Sequence, residues 1–221
     1  AVGAVVRQQH HDCTIAEVDK PLTPVVDTVL LSNARGEPAL MHELRSEIAS
    51  ADRIDVLMAF VRMTGIVPLR DELRRHCEAG RALRVLTTTY TGSTEGKALT
   101  ILLELGAQVR VSYATGTPRL HAKAWHFHRD NGFGTAYIGS SNLTHSAQVD
   151  GLEWNVRVSG ARNPAVIERV ASLFESYWSN GDFVPFEARD FAERTQRARD
   201  PSRTVLSPLE VRPHPFQERL L

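Results

Sequence analysis

Two residues able to take part in phosphate chemistry, His121 and Lys123, stand two positions apart in the sequence. On a β-strand, residues two apart project from the same face, so the imidazole and the ammonium would lie side by side. A phosphate group suits such a pair, because the ammonium supplies positive charge and an imidazole nitrogen can attack phosphorus. The pair alone has little specificity, and its interpretation depends on the residues that follow.

The segment 139–142, with the sequence Gly-Ser-Ser-Asn, follows a predicted strand and precedes a stretch that could form a short helix. Backbone amides at the start of a helix, together with Ser and Asn side chains, form a cradle for anions. Glu153 lies on the next predicted strand, where its carboxylate could hydrogen-bond a histidine ring and set its tautomer. These groups together predict a phosphate-handling site.

This ordered set, His-x-Lys, then Gly-Ser-x-Asn, then a downstream acid, resembles the signature of the phospholipase D superfamily. The match covers residues 120–153. One position departs from the fuller family pattern, because His128 stands where the family has an Asp five residues after the Lys. That departure weakens a lipase interpretation more than a nuclease interpretation.

The resemblance implies a two-step phosphodiesterase mechanism that uses neither a metal nor another cofactor. His121 would attack phosphorus and form a covalent phosphohistidine. Lys123, Asn142 and Ser140 would stabilise the charge on the non-bridging oxygens. Glu153 would orient His121.

Cleavage by this route requires a second histidine that protonates the leaving oxygen. The motif His-x-Lys occurs once in the chain. The resemblance therefore implies a homodimer in which two copies of the motif meet across a two-fold axis.

Several of the candidate site residues could have a different role. Ser141 is a further candidate for phosphate binding. Arg119 precedes the motif strand and could contact a backbone phosphate, or it could be an ordinary surface residue. Glu153 could instead form a simple salt bridge. The whole constellation could also bind phosphate without cutting a diester.

A zinc site is an alternative interpretation of the histidines of the motif strand. His126 and His128, with His121 and Asp130, offer suitable ligand types. A strand, however, turns His126 and His128 away from the face that carries His121, and no Cys lies nearby. No metal site is therefore predicted.

Apolar periodicity predicts the elements that must position these residues. Strands and helices alternate from residue 25 to residue 113, which predicts an α/β layered fold with a mixed, largely parallel sheet. The superfamily resemblance implies helices on both faces of that sheet. Strands at 121–128 and 135–138 flank an Asn-Gly turn, which is a strong hairpin signal. A long amphipathic helix is predicted over 164–178, with Pro in its first turn.

The chain divides into an N-terminal arm (1–24), a phosphodiesterase domain (25–186) and a charged linker or solvated helix (187–221). Near its end, residues 212–217 (Arg-Pro-His-Pro-Phe-Gln) resemble the entry to a DEAD/DEAH-type superfamily 2 helicase core. That resemblance implies a helicase domain beyond the linker in a larger restriction or repair protein.

Composition limits the functional classes. The 221 residues carry 26 basic and 26 acidic side chains, which counts mildly against a large basic surface for nucleic acid but leaves room for a local basic cleft. No apolar run is long enough to span a membrane, and two scattered cysteines fit a reducing cytoplasm. A nuclease acting on DNA is favoured, and the alternative is a non-catalytic nucleic-acid-binding or dimerisation module of a helicase. DNA and RNA, and single strands and duplexes, are not distinguished.

Overall fold

An eight-stranded mixed sheet organises residues 22–32, 40–90, 92–114, 120–144 and 153–199, which are the residues that the computed structural model describes. The strands are β1 (Val29–Leu31), β2 (Arg53–Met58), β3 (Ala82–Thr88), β4 (Gln108–Ser112), β5 (Lys123–His128), β6 (Thr135–Gly139), β7 (Asn155–Ser159) and β8 (Phe183–Pro185). The helices are α1 (Leu40–Ser50), α2 (Met63–Ile66), α3 (Arg70–Glu78), α4 (Gly96–Glu104), α5 (Pro164–Trp178) and α6 (Ala188–Arg199). A 3-10 turn, Val67–Leu69, joins α2 to α3.

The strand order is β1-β7-β6-β5-β2-β3-β4-β8. Strands β2, β3 and β4 are parallel because helices connect them, and each of the other neighbouring pairs is antiparallel. The predicted mixed α/β sheet is confirmed, but its description as largely parallel needs correction. The Asn-Gly hairpin reverses the chain between β5 and β6, and Gly132 takes the positive φ of 81° that this turn requires.

Helices cover both faces of the sheet, as expected. Helices α1, α3, α4 and α6 contribute to the larger apolar core on one face. Helix α5 packs on the other face, where Phe174 joins Leu57 and Leu86 in a smaller cluster. The near-continuous apolar run of β2 follows from this arrangement, since its residues are buried on both sides.

Two segments differ from the predicted elements or extend them. Helix α6 lies in the stretch predicted to be a charged linker or a solvated helix, and its Phe191 is buried in the main core. The packed part of the chain therefore reaches at least this residue. The second half of the short helix predicted at 141–148 lies outside the described residues, and residues 141–144, which are described, are not helical.

The buried carboxylate of Glu47 connects α1 to β5, β6 and β7 through hydrogen bonds and ion pairs. It pairs with Arg129, accepts a hydrogen bond from the Thr135 hydroxyl at 2.7 Å, and accepts another from Tyr137 at 3.1 Å. The Arg157 Nε donates to the same carboxylate at 2.9 Å. Burial alone would raise the pKa of Glu47, but the two guanidinium groups outweigh it and lower that pKa. The network therefore holds a charged group in the core.

Removing this carboxylate should weaken the attachment of α1 to the sheet. We expect Glu47→Ala to lower the free energy of unfolding by about 3 kcal/mol or more, because two arginines lose their buried partner. Urea denaturation followed by circular dichroism measures the effect, and Glu104→Ala on the exposed side of α4 is the control, expected to change it by less than about 0.5 kcal/mol. Equal effects of the two substitutions would contradict this role.

Candidate active site

The candidate site lies at one edge of the sheet, where β2 and β6 end and β5 and β7 begin. The register places Met58 beside Lys123 and Gly139 beside Asn155. Because these neighbouring strands are antiparallel, the end of one strand lies beside the start of the next, although the two are far apart in sequence. The edge therefore brings the His-x-Lys motif next to the Gly-Ser-Ser-Asn segment.

His121 and Lys123 are in contact at this edge. His121 is exposed just before β5, whereas Lys123 is buried at the first position of the strand. The Lys123 Nζ donates to the His121 carbonyl at 2.7 Å and lies 3.3 Å from the ring nitrogen Nδ1. Burial lowers the pKa of Lys123, and the nearby Glu153 carboxylate opposes that change. The predicted side-by-side placement of imidazole and ammonium is what the structure has.

Asn142 is held from the opposite side of the edge by the chain that follows β2. Its Oδ1 accepts a hydrogen bond from the Phe60 amide at 3.1 Å, and the Leu143 amide donates to the Phe60 carbonyl at 3.2 Å. The Phe60 ring in turn meets the His121 ring edge-on, with 6.3 Å between the centroids. Phe60 therefore positions the Asn142 amide and the imidazole relative to each other.

The two serines of the motif bond to the start of β7. The Trp154 amide donates to the Ser140 hydroxyl at 3.1 Å, and the Ser140 amide donates to the Trp154 carbonyl at 3.0 Å. The Asn155 Nδ2 donates to the buried Ser141 hydroxyl at 2.7 Å. These bonds fix the loop, so both hydroxyls have a structural task whether or not they also contact phosphate.

Gly139 allows β6 and β7 to approach each other at the site. A Cβ at this position would lie 2.2 Å from the Trp154 carbonyl oxygen and 2.5 Å from the Asn155 side chain. Contacts under 3.0 Å require the backbone to move, so any larger residue would displace the loop. The glycine of the motif is therefore a packing requirement.

Of the two remaining predicted residues, the structure describes Glu153 and does not describe Arg119. Glu153 is half-buried two residues before β7, rather than on the strand as predicted, and influences Lys123 through its charge. Its predicted hydrogen bond to His121 stays a prediction. Arg119 lies outside the described residues.

Sequence reasoning missed Phe60 and Asn155. Phe60 lies 61 positions before His121 and has no local signal, because only the pairing of β2 with β5 brings it to the site. Asn155 could have been found from the sequence, because it stands two residues after Glu153 and so shares its face on a strand. A small cavity behind Lys123 is lined by Asn155, Asn142 and Tyr137 among others.

The opposite face of β5 carries a separate group of ligand-type residues. Asp55, His126 and His128 place one potential ligand atom each within 4.8 Å of the others, and they form the one such group among the described residues. As predicted, this face is turned away from Lys123. His128, which replaces the family Asp, lies 2.6 Å from the Asp55 carboxylate through Nε2.

Two arginines make this group an ion-pair network. Arg84 donates to both Asp55 oxygens, at 2.7 Å and 2.9 Å, and Arg53 lies 3.0 Å from the His128 ring. Both carboxylate oxygens are therefore already bonded, and two guanidinium charges oppose a cation. Burial raises the pKa of Asp55, but its bonds to His128 and Arg84 outweigh burial and lower it to about 2. Burial, with His128 second, lowers the pKa of His126 to about 3.

Solved structures with this architecture include a phospholipase D family member. Nuc, a phospholipase D family member from Salmonella typhimurium, superposes with a TM-score of 0.57 at 18% identity, over 73% of this chain and 98% of that one. NucT from Helicobacter pylori also gives 0.57, at 12% identity, over 72% of this chain and 99% of that one. Polyphosphate kinase from Porphyromonas gingivalis gives 0.51 at 14% identity, over 80% of this chain and 29% of that one. At these identities the likeness establishes the fold.

The fold is that of a phospholipase D-like domain. A family model described as cardiolipin synthase, PLD-like domain, matches residues 44–178, and the chain belongs to this family. No curated protein matches the sequence significantly. Within the described ranges, no helix is both long enough and apolar enough to cross a lipid bilayer.

The close approach at Gly139 gives a direct test of the loop geometry. We expect Gly139→Ala to lower the free energy of unfolding by about 1–3 kcal/mol, because the new methyl group overlaps backbone atoms of β7. Gly181→Ala is the matched control, since a Cβ there meets no atom within 4 Å. Thermal and urea denaturation of both variants measure the difference, and equal stability would contradict the geometry.

The buried His126 gives a test by pH. An unfolded histidine binds a proton near pH 6.5, whereas folded His126 does so only near pH 3. Between these values the unfolded chain binds more protons, so the free energy of unfolding falls as the pH drops from about 6.5 towards 3. We expect His126→Leu to make that fall shallower between pH 7 and pH 4 in urea titrations.

Asp55 titrates in a different window from His126. Its folded pKa near 2 lies below the ordinary 3.8, so its stabilisation is complete above pH 3.8 and is lost towards pH 2. It therefore adds little to the slope between pH 7 and pH 4. Identical slopes for wild type and His126→Leu in that range would show that His126 is protonated in the folded state.

Proposed function

We propose that this domain is a metal-independent nuclease that cleaves nucleic acid, most simply DNA, through a covalent phosphohistidine on His121. The observation that carries the proposal is the contact of His121 with Lys123 at a sheet edge that also holds Asn142. The imidazole is exposed to solvent there, whereas the ammonium behind it is buried. An exposed nucleophile backed by a fixed positive charge suits attack on an anionic diester.

The reaction has two steps. In the first, a His121 ring nitrogen uses its lone pair to form a bond to phosphorus, and the bond from phosphorus to the leaving oxygen breaks. A second histidine gives its proton to that oxygen. In the second step, water attacks phosphorus and passes a proton to the second histidine. The nitrogen–phosphorus bond then breaks, and both histidines return to their starting states.

Fixed donors around the phosphate lower the barrier to both steps. The Lys123 ammonium neutralises charge on the non-bridging oxygens, and the Asn142 amide adds a donor from the other side. The Phe60 backbone amide donates to the Asn142 Oδ1, so the Asn142 Nδ2 donor is directed away from the Phe60 backbone. Glu153 orients the His121 ring, and Ser140, Ser141 and Arg119 are further candidates for phosphate contact.

The second histidine comes from a second copy of the chain. His126 and His128 belong to the network under α5, on the face turned away from Lys123, so they do not serve this site. A two-fold homodimer supplies a second His121 with the same surroundings. One composite site then forms from two identical halves.

The proposed nucleic-acid substrate and the proposed helicase domain are supported by the charge and the sequence of the chain. Net charge near zero disfavours a broad basic surface, so affinity for DNA depends on the local cations of the site. The helicase-like residues 209–221, outside the described part of the chain, support a helicase-nuclease that recruits its substrate through the motor.

The deciding experiment incubates the purified chain with plasmid and single-stranded DNA in excess EDTA. Wild type is expected to cut, and His121→Ala is expected to lose cutting by roughly 10³-fold or more. His42→Gln, a histidine on α1, is the matched control and is expected to cut as wild type does. Mass spectrometry of acid-sensitive, base-stable phosphate on His121 tests the covalent intermediate.

Each outcome distinguishes the functional alternatives. Cutting that survives His121→Ala would overturn the nucleophile assignment. DNA binding that Lys123→Ala weakens, without turnover of any diester by wild type, would establish a non-catalytic binding module instead. Loss of cutting in EDTA with rescue by a divalent metal would contradict the metal-free mechanism.

A further inference from the structure

Arg62 is an exposed cation beside the candidate site, and its backbone is tied to the elements that form that site. It stands two residues after Phe60, whose ring meets the His121 imidazole edge-on. The Arg62 amide donates to the Leu143 carbonyl at 3.0 Å, and Leu143 directly follows Asn142. The backbone of Arg62 is therefore joined to the loop that carries the Asn142 amide.

The loop that follows β3 fixes the Arg62 guanidinium. The Arg62 Nε donates to the Ser93 carbonyl at 3.3 Å. Next to this bond, the Glu95 amide donates to the Val61 carbonyl at 2.9 Å, and the Met63 amide donates to the Glu95 Oε2 at 2.9 Å. These contacts bind the two segments together. The guanidinium is thus held through Nε, and within the described ranges its two terminal nitrogens have no protein partner.

The positive charge of Arg62 is not neutralised within the described part of the chain. Most of the arginines there pair with a carboxylate, as Arg45, Arg74 and Arg194 do. Arg62 forms no such pair, and the nearby Glu95 carboxylate accepts from a backbone amide instead. An unpaired guanidinium suits a phosphate group, because its planar donors match two phosphate oxygens.

The sheet sets the separation between Arg62 and the reacting phosphate. His121 precedes β5, and the loop that holds the guanidinium follows β3; only β2 lies between these two strands. Two strand spacings amount to about 10 Å. A phosphate attacked by His121 is therefore out of reach of Arg62. A nucleic-acid strand carries a phosphate at every nucleotide, so a neighbouring phosphate can meet the guanidinium.

We propose that Arg62 binds a phosphate next to the scissile one and so selects nucleic-acid strands over small diesters. The proposal rests on the proposed function, because this second phosphate position is defined relative to the phosphate on His121. Arg62 determines specificity in this way and takes no part in breaking the bond. It adds affinity only for substrates that carry more than one phosphate.

Other exposed groups on this side of the site suit a nucleotide strand. Tyr90, in the turn after β3, is 36% exposed, and Lys97 is exposed on the first turn of α4. Aromatic rings combined with cations are typical of surfaces that bind single strands, because bases stack on the rings while phosphates meet the charges. These neighbours favour a nucleic-acid strand as the ligand at Arg62.

Two substrates separate this subsite from the reacting centre. An oligothymidylate of about ten nucleotides offers neighbouring phosphates, whereas bis-para-nitrophenyl phosphate has only the phosphate that is attacked. Both are assayed with the full chain in excess EDTA. For the oligothymidylate, Arg62→Ala is expected to raise KM about ten-fold and to keep kcat within about two-fold, because a charge-assisted contact with bound substrate is lost. For the small diester, kcat/KM is expected to stay unchanged.

Matched variants separate the local contact from net charge and from structure. Arg62→Lys keeps the charge, and its KM is expected between those of wild type and Arg62→Ala. Arg75→Ala removes one charge in the last turn of α3, before β3 and at the opposite edge of the sheet, and is expected to behave as wild type. The slope of log KM for the oligothymidylate against log salt concentration should be smaller by about 0.7 in Arg62→Ala, since one single-strand phosphate contact is lost.

The results judge the subsite and the proposed function separately. Equal loss of activity on both substrates would show that Arg62 only supports the frame around Phe60, and unchanged kinetics on both would show no contact; either result overturns the subsite. A rise in KM as large for Arg75→Ala would assign the effect to net charge and overturn it too. If wild type cuts neither substrate, the proposed function fails, and fluorescence anisotropy with labelled oligothymidylate decides the subsite: weaker binding by Arg62→Ala supports it, and equal binding overturns it.

Discussion

The buried carboxylate of Glu47 is the constraint on which the site-bearing half of the sheet depends. It brings two guanidinium groups, those of Arg129 and Arg157, into the interior and binds α1 to the ends and middle of β5, β6 and β7. Arg157 also donates to the carbonyls of Pro24 and Asp27 and so ties the segment before β1 to the same point. A buried charge without partners would be very costly, so these strands and α1 keep one arrangement. The edge that carries the candidate site takes its geometry from that arrangement.

The site itself is assembled mainly by backbone contacts. Phe60, from the chain after β2, exchanges hydrogen bonds with the Asn142 side chain and the Leu143 amide, while Ser140 and Trp154 are paired across β6 and β7. A Cβ on Gly65 would lie 2.2 Å from the Leu143 carbonyl, so a second glycine serves the same close packing. The flexible functional groups, the imidazole and the ammonium, project from this fixed frame. Such preorganisation suits electrostatic catalysis, because little reorganisation is needed during reaction.

The two faces of β5 divide the histidines between different tasks. His121 and Lys123 belong to the site, whereas His126 and His128 complete an ion-pair network with Asp55, Arg84 and Glu175 under α5. His128, which stands where the family pattern has Asp, pairs there with the Asp55 carboxylate on the adjacent strand. The departure at this position therefore lies on the face of β5 opposite Lys123.

The sequence by itself determined the motif residues, the alternation of the first four strands with helices, the hairpin after β5 and the full extent of α5. Local periodicity and turn chemistry carry that information, since each depends on residues close together in the chain. Only the tertiary structure decided the antiparallel pairing of most strands and the buried network of Glu47. It also decided the place of Phe60 beside His121, which depends on a strand pairing between residues more than sixty positions apart. Long-range packing sets these features, and no pattern within a single element records them.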